Sequence, residues 1–304
     1  MPPNAQPAEA GGENQLANEM RRIILDRIAA NKLVIPAMPT VVASCMAQLR
    51  ESDVNLKQLA ETMQRDPILA VQVVRIANSA VYGGAGTVRS TQQAVSRLGV
   101  QKLRALLIEL SARQLFTSPD RRIAAAFHKL LAHSVAVASL SRDLGALSAS
   151  GDPDGAYLAG LLHDVGKPVI AAMLLEAERL LGKGRGGFFD ADMWISAVAE
   201  SHREVGVALA TQWNLPEAVT HSIRDCGEYD MEERLSIANV VRFSNALAKK
   251  EGIYVGVVDM EGVEALLMIG RSLLNIDDAV TERLTRDLQR NVDAVIGSGG
   301  GGRS

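Results

Sequence analysis

From Asn18 to Gly297 the chain offers one helical pattern after another, opened by capping residues or prolines and closed by glycines or prolines, and this punctuation leaves almost no room for a sheet. Asn55 caps a stripe of Leu56, Leu59, Ala60 and Met63, while Asp66 caps and Pro67 starts "PILAVQVVRIANSA". Ser90 opens "TQQAVSRLG", which Gly99 stops. With "NEMRRIILDRIAANK", "MPTVVASCMAQLRE" and "VQKLRALLIELSARQLF", six helices fill about 100 residues. Ser118 and Pro119 then open a long helix with Gly145 as its stop. After it, "DPDGAYLAGLLHDVG", "KPVIAAMLLEAERLLG", "DADMWISAVAES", "HREVGVALATQWN", "LPEAVTHSIRDC" and "MEERLSIANVVRFSNALAKKEG" each predict a helix. The one strand candidate is a short hairpin at "EGIYVGVVDM". The expected fold is all-α: two packed helical subdomains, the first an N-terminal bundle, and a C-terminal amphipathic helix. That last helix carries Val280, Leu284 and Leu288 on one face, open to docking on the body or pairing with a partner helix.

Domain boundaries follow from the same punctuation. Residues 1–17 form a disordered lead, 18–117 the first helical subdomain, 118–250 the second and 251–296 the C-terminal helices; 297–304 are a flexible Gly/Ser tail. With 47% hydrophobic residues the chain can bury one large core or two moderate ones. The net charge of −3 comes from mixed signs on helical faces, such as "RRIILDR" and "TERLTRDLQR", and nothing electrostatic marks a nucleic-acid surface. The longest charge-free stretch, Leu33–Leu49, is short and holds Pro36 and Pro39, so no membrane helix is expected. The N-terminus lacks the pattern of a secretory signal, and two cysteines, Cys45 and Cys226, are too few for a disulfide framework; a cytoplasmic location is expected.

The candidate chemistry lies in "AGLLHDVGK". Adjacent side chains on a helix point about 100° apart, so His163 and Asp164 can share an ion only where the helix ends. Gly166 and Pro168 supply that ending. Partners must come from other helices, with His133 on the long preceding helix and His202 near the start of a later one, beside Glu200. Imidazoles and a carboxylate suit Zn, Mn, Fe or Ni. Three histidines and one aspartate suffice for a single ion and not readily for two. The alternative is a buried hydrogen-bonded pair, with the imidazole satisfied by a carboxylate or a backbone carbonyl.

On these and further motifs the chain resembles the HDOD family, the HD-related output domains of bacterial signalling proteins. The first half carries "IPAMPTV", "RDPILAVQVVRIANSAVYG" and "VRSTQQAVSRLGVQKLRALLI". The second, with "LLAHSVAVASLSRDLG", "AGLLHDVGK", "ESHREVGVALATQWNLPEAV" and "IANVVRFSNALA", is similar to a divergent HD-type metal-dependent phosphohydrolase. The resemblance runs from about Leu33 to Ala248 and implies His133, His163 and Asp164 as metal ligands, with His202 matching an additional one. The family's later aspartate falls where this chain has Asn245, and a His-His pair of binuclear relatives is replaced by Cys226 and Gly227. A neutral amide is a weaker ligand than a carboxylate. Asp225, Glu228 or Glu200 could replace the missing donor.

The expectation is a non-catalytic signal-transduction module, with no catalytic residues and a degenerate HD site, gated by a small ligand or by a residual single divalent metal; no cofactor is otherwise expected. The resemblance implies partners such as a response regulator, a sensor kinase or a cyclic-di-GMP enzyme, supplied in trans; dimerisation stays open. The alternative is a metal-dependent phosphohydrolase of nucleotides or cyclic dinucleotides. Of the remaining signals, "GKGRGG" at 182–187 lacks the phosphate-loop spacing and reads as a loop. Asn78 is expected as a left-handed helix end and Tyr82 as an anchor of the glycine loop, an architectural signature pinning the first bundle to the second. Trp194 and Trp213 read as core.

Overall fold

The computed structural model describes residues 35–79, 86–147, 152–181, 191–225, 227–286 and 288–297, together with Arg22, Asp26 and Ala30. The expected first helix, Tyr82, the "GKGRGG" loop, Cys226 and the two terminal segments lie outside them or nearly so. The described residues are all-α, with no strand among them. The chain divides into two compact units, Ala37–Gln114 and a larger body from Leu115 onward with the segment up to Pro36.

The smaller unit holds α1 (Thr40–Gln48), α2 (Leu56–Met63), α3 (Pro67–Ala77) and α4 (Thr91–Leu115). Asn55 accepts from Lys57 N and Gln58 N, and Asp66 accepts from Ile68 N and Leu69 N, so both helices start at their expected caps. The stripe on α2 buries Leu59, Ala60 and Met63 completely or nearly so. Gly99, at φ 71° and ψ 168°, breaks α4 into two helical segments, a backbone geometry that only glycine adopts readily. Asn78 corrects its expectation: its backbone is right-handed, at φ −97° and ψ −1°. Its side chain is the working part, donating to Val88 O and accepting from Val88 N, both at 2.8 Å, and so it ties the two ends of the glycine loop together.

The body holds α5 (Arg121–Leu147), α6 (Pro153–Leu162), α7 (Gly166–Leu181), α8 (Ala191–Gln212) and α9 (Glu217–Asp225). They are followed by α10 (Ile237–Lys250), α11 (Met260–Leu274), α12 (Asp278–Thr285) and α13 (Leu288–Gly297). Helix α6 packs against α5, α9 and α10, and α7 against α8; α10 also packs against α5 and α11. Two stretches, Ile123–Leu147 and Pro153–Glu176, are long and apolar enough to cross a membrane, but 56% and 83% of their apolar windows are buried in the protein, as core helices require. Trp213 is core, its indole N–H donating to Pro36 O at 2.9 Å; the Trp194 side chain lies outside the described residues.

Five sequence expectations are corrected here. Gly145 does not stop α5 but lies inside it, where a Cβ would press on Ala156 Cβ at 2.9 Å; the glycine permits close approach of α6. Gly166 and Pro168 do not end a helix but begin α7, proline being acceptable in a first turn. The two helices expected on either side of Ser201 are one, α8, since neither glycine nor proline separates them. The helix expected from Met231 begins only at Ile237, because Asp230 accepts from Glu232 N and Glu233 N and buried Asn239 binds the Asp230, Glu233 and Arg234 carbonyls. The hairpin at 251–260 is irregular chain, and its carbonyls and rings serve the site below. At the C-terminus the docking option is realised: α13 packs on α5 with Leu288 and Val292 buried.

Candidate metal centre

The centre forms where α6 gives way to α7. Asp152 caps α6 by accepting from Gly155 N at 2.8 Å, and the apolar run through Leu162 is buried against α5. Gly160 sets how close the two helices come, since a Cβ there would sit 2.9 Å from Ala138 Cα, Ser141 Oγ and Val137 O. Helical backbone ends at His163, a short turn carries Asp164 and Val165, and α7 starts at Gly166. Gly166 touches α8, where a Cβ would overlap the His202 carbonyl. The turn thus faces His133 of α5 on one side and His202 of α8 on the other.

Each buried histidine is held by a backbone carbonyl. His163 Nδ1 donates to Gly160 O and His133 Nδ1 to Ile253 O, both at 2.7 Å. A carbonyl cannot donate, so in each neutral ring the proton is on Nδ1 and Nε2 carries a lone pair. Both Nε2 atoms are buried without a hydrogen-bond partner. They face the same carboxylate oxygen, Asp164 Oδ2, at 3.4 Å from His163 and 3.9 Å from His133. One donor atom from each of these three residues lies within 4.8 Å of those of the other two. His202 stands apart from this set, its Nε2 at 3.2 Å from the other oxygen, Oδ1. Tyr254 closes the side beyond His133 with an edge contact at 5.1 Å.

Charge is distributed unevenly. Burial, reinforced by the neighbouring His163, drops the His133 pKa to about 3, so this ring is neutral at physiological pH. Burial alone would raise the Asp164 carboxyl, but His163, Lys167 and His202 around it more than reverse this and hold it well below the usual carboxylate range. Lys167, three residues on, places Nζ 2.5 Å from Asp164 Oδ2. The Nε2 atoms of His133 and His163 and one carboxylate fit a single divalent ion in donor type and spacing.

Of the other residues named from sequence, Asn245 lies on α10 with Oδ1 buried and without a hydrogen-bond partner. Asp225 and Glu228 are not members of the donor group, and the Glu200 side chain lies outside the described residues. His128 is exposed, and His221 pairs with Glu217 at 3.4 Å on the surface. Sequence reasoning missed Lys167, Gly160, Ile253 and Tyr254. Lys167 stands in the quoted motif and was legible there; Ile253 and Tyr254 act from 120 residues beyond His133, which no local pattern signals.

The model of the HDOD domain family matches residues 35–228. A curated relative, an uncharacterized protein of Treponema pallidum (strain Nichols), is 26% identical over 194 residues, 62% of this chain; the match covers 37% of that relative's length. Among solved structures, a Shewanella amazonensis SB2B protein provisionally designated a metal-dependent phosphohydrolase aligns with a TM-score of 0.69 and 19% identity, over 93% of this chain and 99% of that one. A Geobacter sulfurreducens HDOD domain protein of unknown function gives 0.59 and 23%, over 95% and 98%. A Marinobacter aquaeolei VT8 protein provisionally designated as acting in signal transduction gives 0.59 and 22%, over 92% and 65%. At these identities the structures establish a shared fold.

Proposed function

The chain belongs to the HDOD domain family, and from that premise we propose that it is a non-catalytic bacterial signal-transduction module, acting through protein contacts that a small ligand or a single metal ion gates. The observation that carries this reading is the donor count: among the described residues, the group at the α6–α7 turn has one anionic member, Asp164, where a hydrolytic pair of ions needs several. Asn245, an amide, stands where the resemblance expects a further carboxylate. The partners this supports are separate signalling polypeptides, such as a response regulator, a sensor kinase or a cyclic-di-GMP enzyme, met in the cytoplasm.

The test is metal content of protein purified without chelator, combined with turnover of phosphodiester substrates at added Mn²⁺. The expected result is no turnover and at most one ion per chain. Stoichiometric metal with turnover abolished by His163→Ala or Asp164→Ala overturns it. A second reading, a mononuclear phosphohydrolase of nucleotides or cyclic dinucleotides, is favoured by the two buried Nε2 atoms without hydrogen-bond partners. In that reading His133, His163 and Asp164 would hold the ion, whose chemistry is activation of water and neutralisation of charge on phosphate.

A further inference from the structure

Two buried imidazole nitrogens without hydrogen-bond partners, His133 Nε2 and His163 Nε2, converge with Oδ2 of the buried Asp164. A buried carboxylate is electrostatically costly unless a cation shares the space. One is already within the chain: Lys167 Nζ, 2.5 Å from that same Oδ2, on a side chain only 11% exposed. Its reach is fixed by the fold, since α7 begins one residue before it and Gly166 anchors that start against α8.

We propose that Lys167 is a resident counter-ion that competes with a divalent cation for Asp164, so that metal binds only after the ammonium swings off the carboxylate. Even on the carboxylate, Lys167 Nζ faces the Tyr254 ring at 5.4 Å, a ring it shares with the Lys249 ammonium at 4.7 Å. Tyr254 follows Ile253, whose carbonyl fixes the His133 tautomer, so a shift of the lysine is felt on the segment that orients one of the metal donors. The centre then has two charge states, lysine-closed and metal-open, and the 253–254 segment senses which is present. This inference rests on the reading of the centre as a regulatory, non-hydrolytic site and names the cation that regulates it.

The experiment titrates Mn²⁺ into full-length wild type, Lys167→Gln and Lys167→Arg, following free Mn²⁺ by electron paramagnetic resonance and melting by circular dichroism. Because the closed state withholds Asp164, removing the ammonium should tighten Mn²⁺ binding by at least about tenfold. Lys167→Arg, which keeps the charge, should bind no tighter than wild type. Metal-free Lys167→Gln should melt lower than wild type and recover with Mn²⁺; if it does not fold, Lys167→Met preserves the aliphatic stem and takes its place. Equal or weaker Mn²⁺ affinity in the neutral variant, or tighter binding in Lys167→Arg, overturns the proposal. Phosphodiester turnover is measured on the same samples: turnover by wild type sinks the non-hydrolytic reading, whereas unchanged affinity without turnover sinks the lysine proposal alone.

Discussion

Gly166→Ala is the sharpest test of how the fold builds the centre. The added Cβ would overlap the His202 carbonyl oxygen, lie 2.6 Å from the His202 carbonyl carbon and 2.9 Å from Gly206 N. All three obstacles are helix backbone, which cannot rotate aside, so α7 and α8 must separate or the turn at 163–165 must deform. Overpacking typically costs about 1–3 kcal/mol where side chains can yield; with rigid backbone on the receiving side we expect about 3–5 kcal/mol, near the upper end for single substitutions. For a body of this size that corresponds to a melting decrease of about 6–20 °C. Gly206→Ala supplies the control from the same contact. Its Cβ would meet the branch methyl of buried Ile223, Cγ2 at 2.8 Å, and no backbone closer than Gly166 N at 3.5 Å, so a cost of about 1–3 kcal/mol, offset by about 1 kcal/mol of helix propensity, should leave it melting above Gly166→Ala. Thermal unfolding by circular dichroism measures both. A Gly166→Ala protein that melts no lower than Gly206→Ala refutes the argument that glycine at 166 exists to admit α8.

Other perturbations follow from the same geometry. His133 is neutral when folded down to a pKa of about 3 but protonates near 6.5 when unfolded, so between those values the unfolded state binds the extra proton and stability falls as pH falls, by about 1.4 kcal/mol per pH unit; His133→Gln should remove that slope in denaturant melts between pH 6.5 and 3. Asn78→Ala removes both bonds to Val88 and should destabilise by about 1–3 kcal/mol, read by urea unfolding; a cost below 0.5 kcal/mol would mean that the glycine loop holds its ends without the side chain. Asn245→Asp replaces a buried, unpartnered amide oxygen with a carboxylate and should raise Mn²⁺ affinity by calorimetry; unchanged affinity would show that residue 245 is outside the centre.

How much of this was legible depended on whether the cause was local. Caps act within three residues, so Asn55, Asp66 and Ser90 were readable and each binds the backbone N–H expected of it. The meeting of His163 and Asp164 at a helix end was readable because helical geometry forbids it elsewhere. Glycine was misread where its role was contact: Gly145 and Gly166 look like stops, yet their missing Cβ atoms make room for α6 and α8. Tyr254 was misread for a related reason. Its neighbourhood has the β-branched residues of a strand, but strand pairing lost to a carbonyl held by His133 and a ring packed on it.

The two carbonyl bonds decide what the centre can be. Ile253 and Gly160 take the Nδ1 protons, so the neutral His133 ring turns its Nε2 lone pair toward the carboxylate, and a neutral His163 would do the same. An arrangement of acceptors facing acceptors in a buried site persists only if something positive is shared among them. The backbone of α6 and the chain after α10 thus favour a cation beside Asp164, and Lys167 supplies one from within the chain. Catalysis asks for more than this, namely further anionic donors and open coordination positions for water and substrate. On the proposed reading, one carboxylate among the described residues and a resident ammonium meet the structural requirement and not the chemical one.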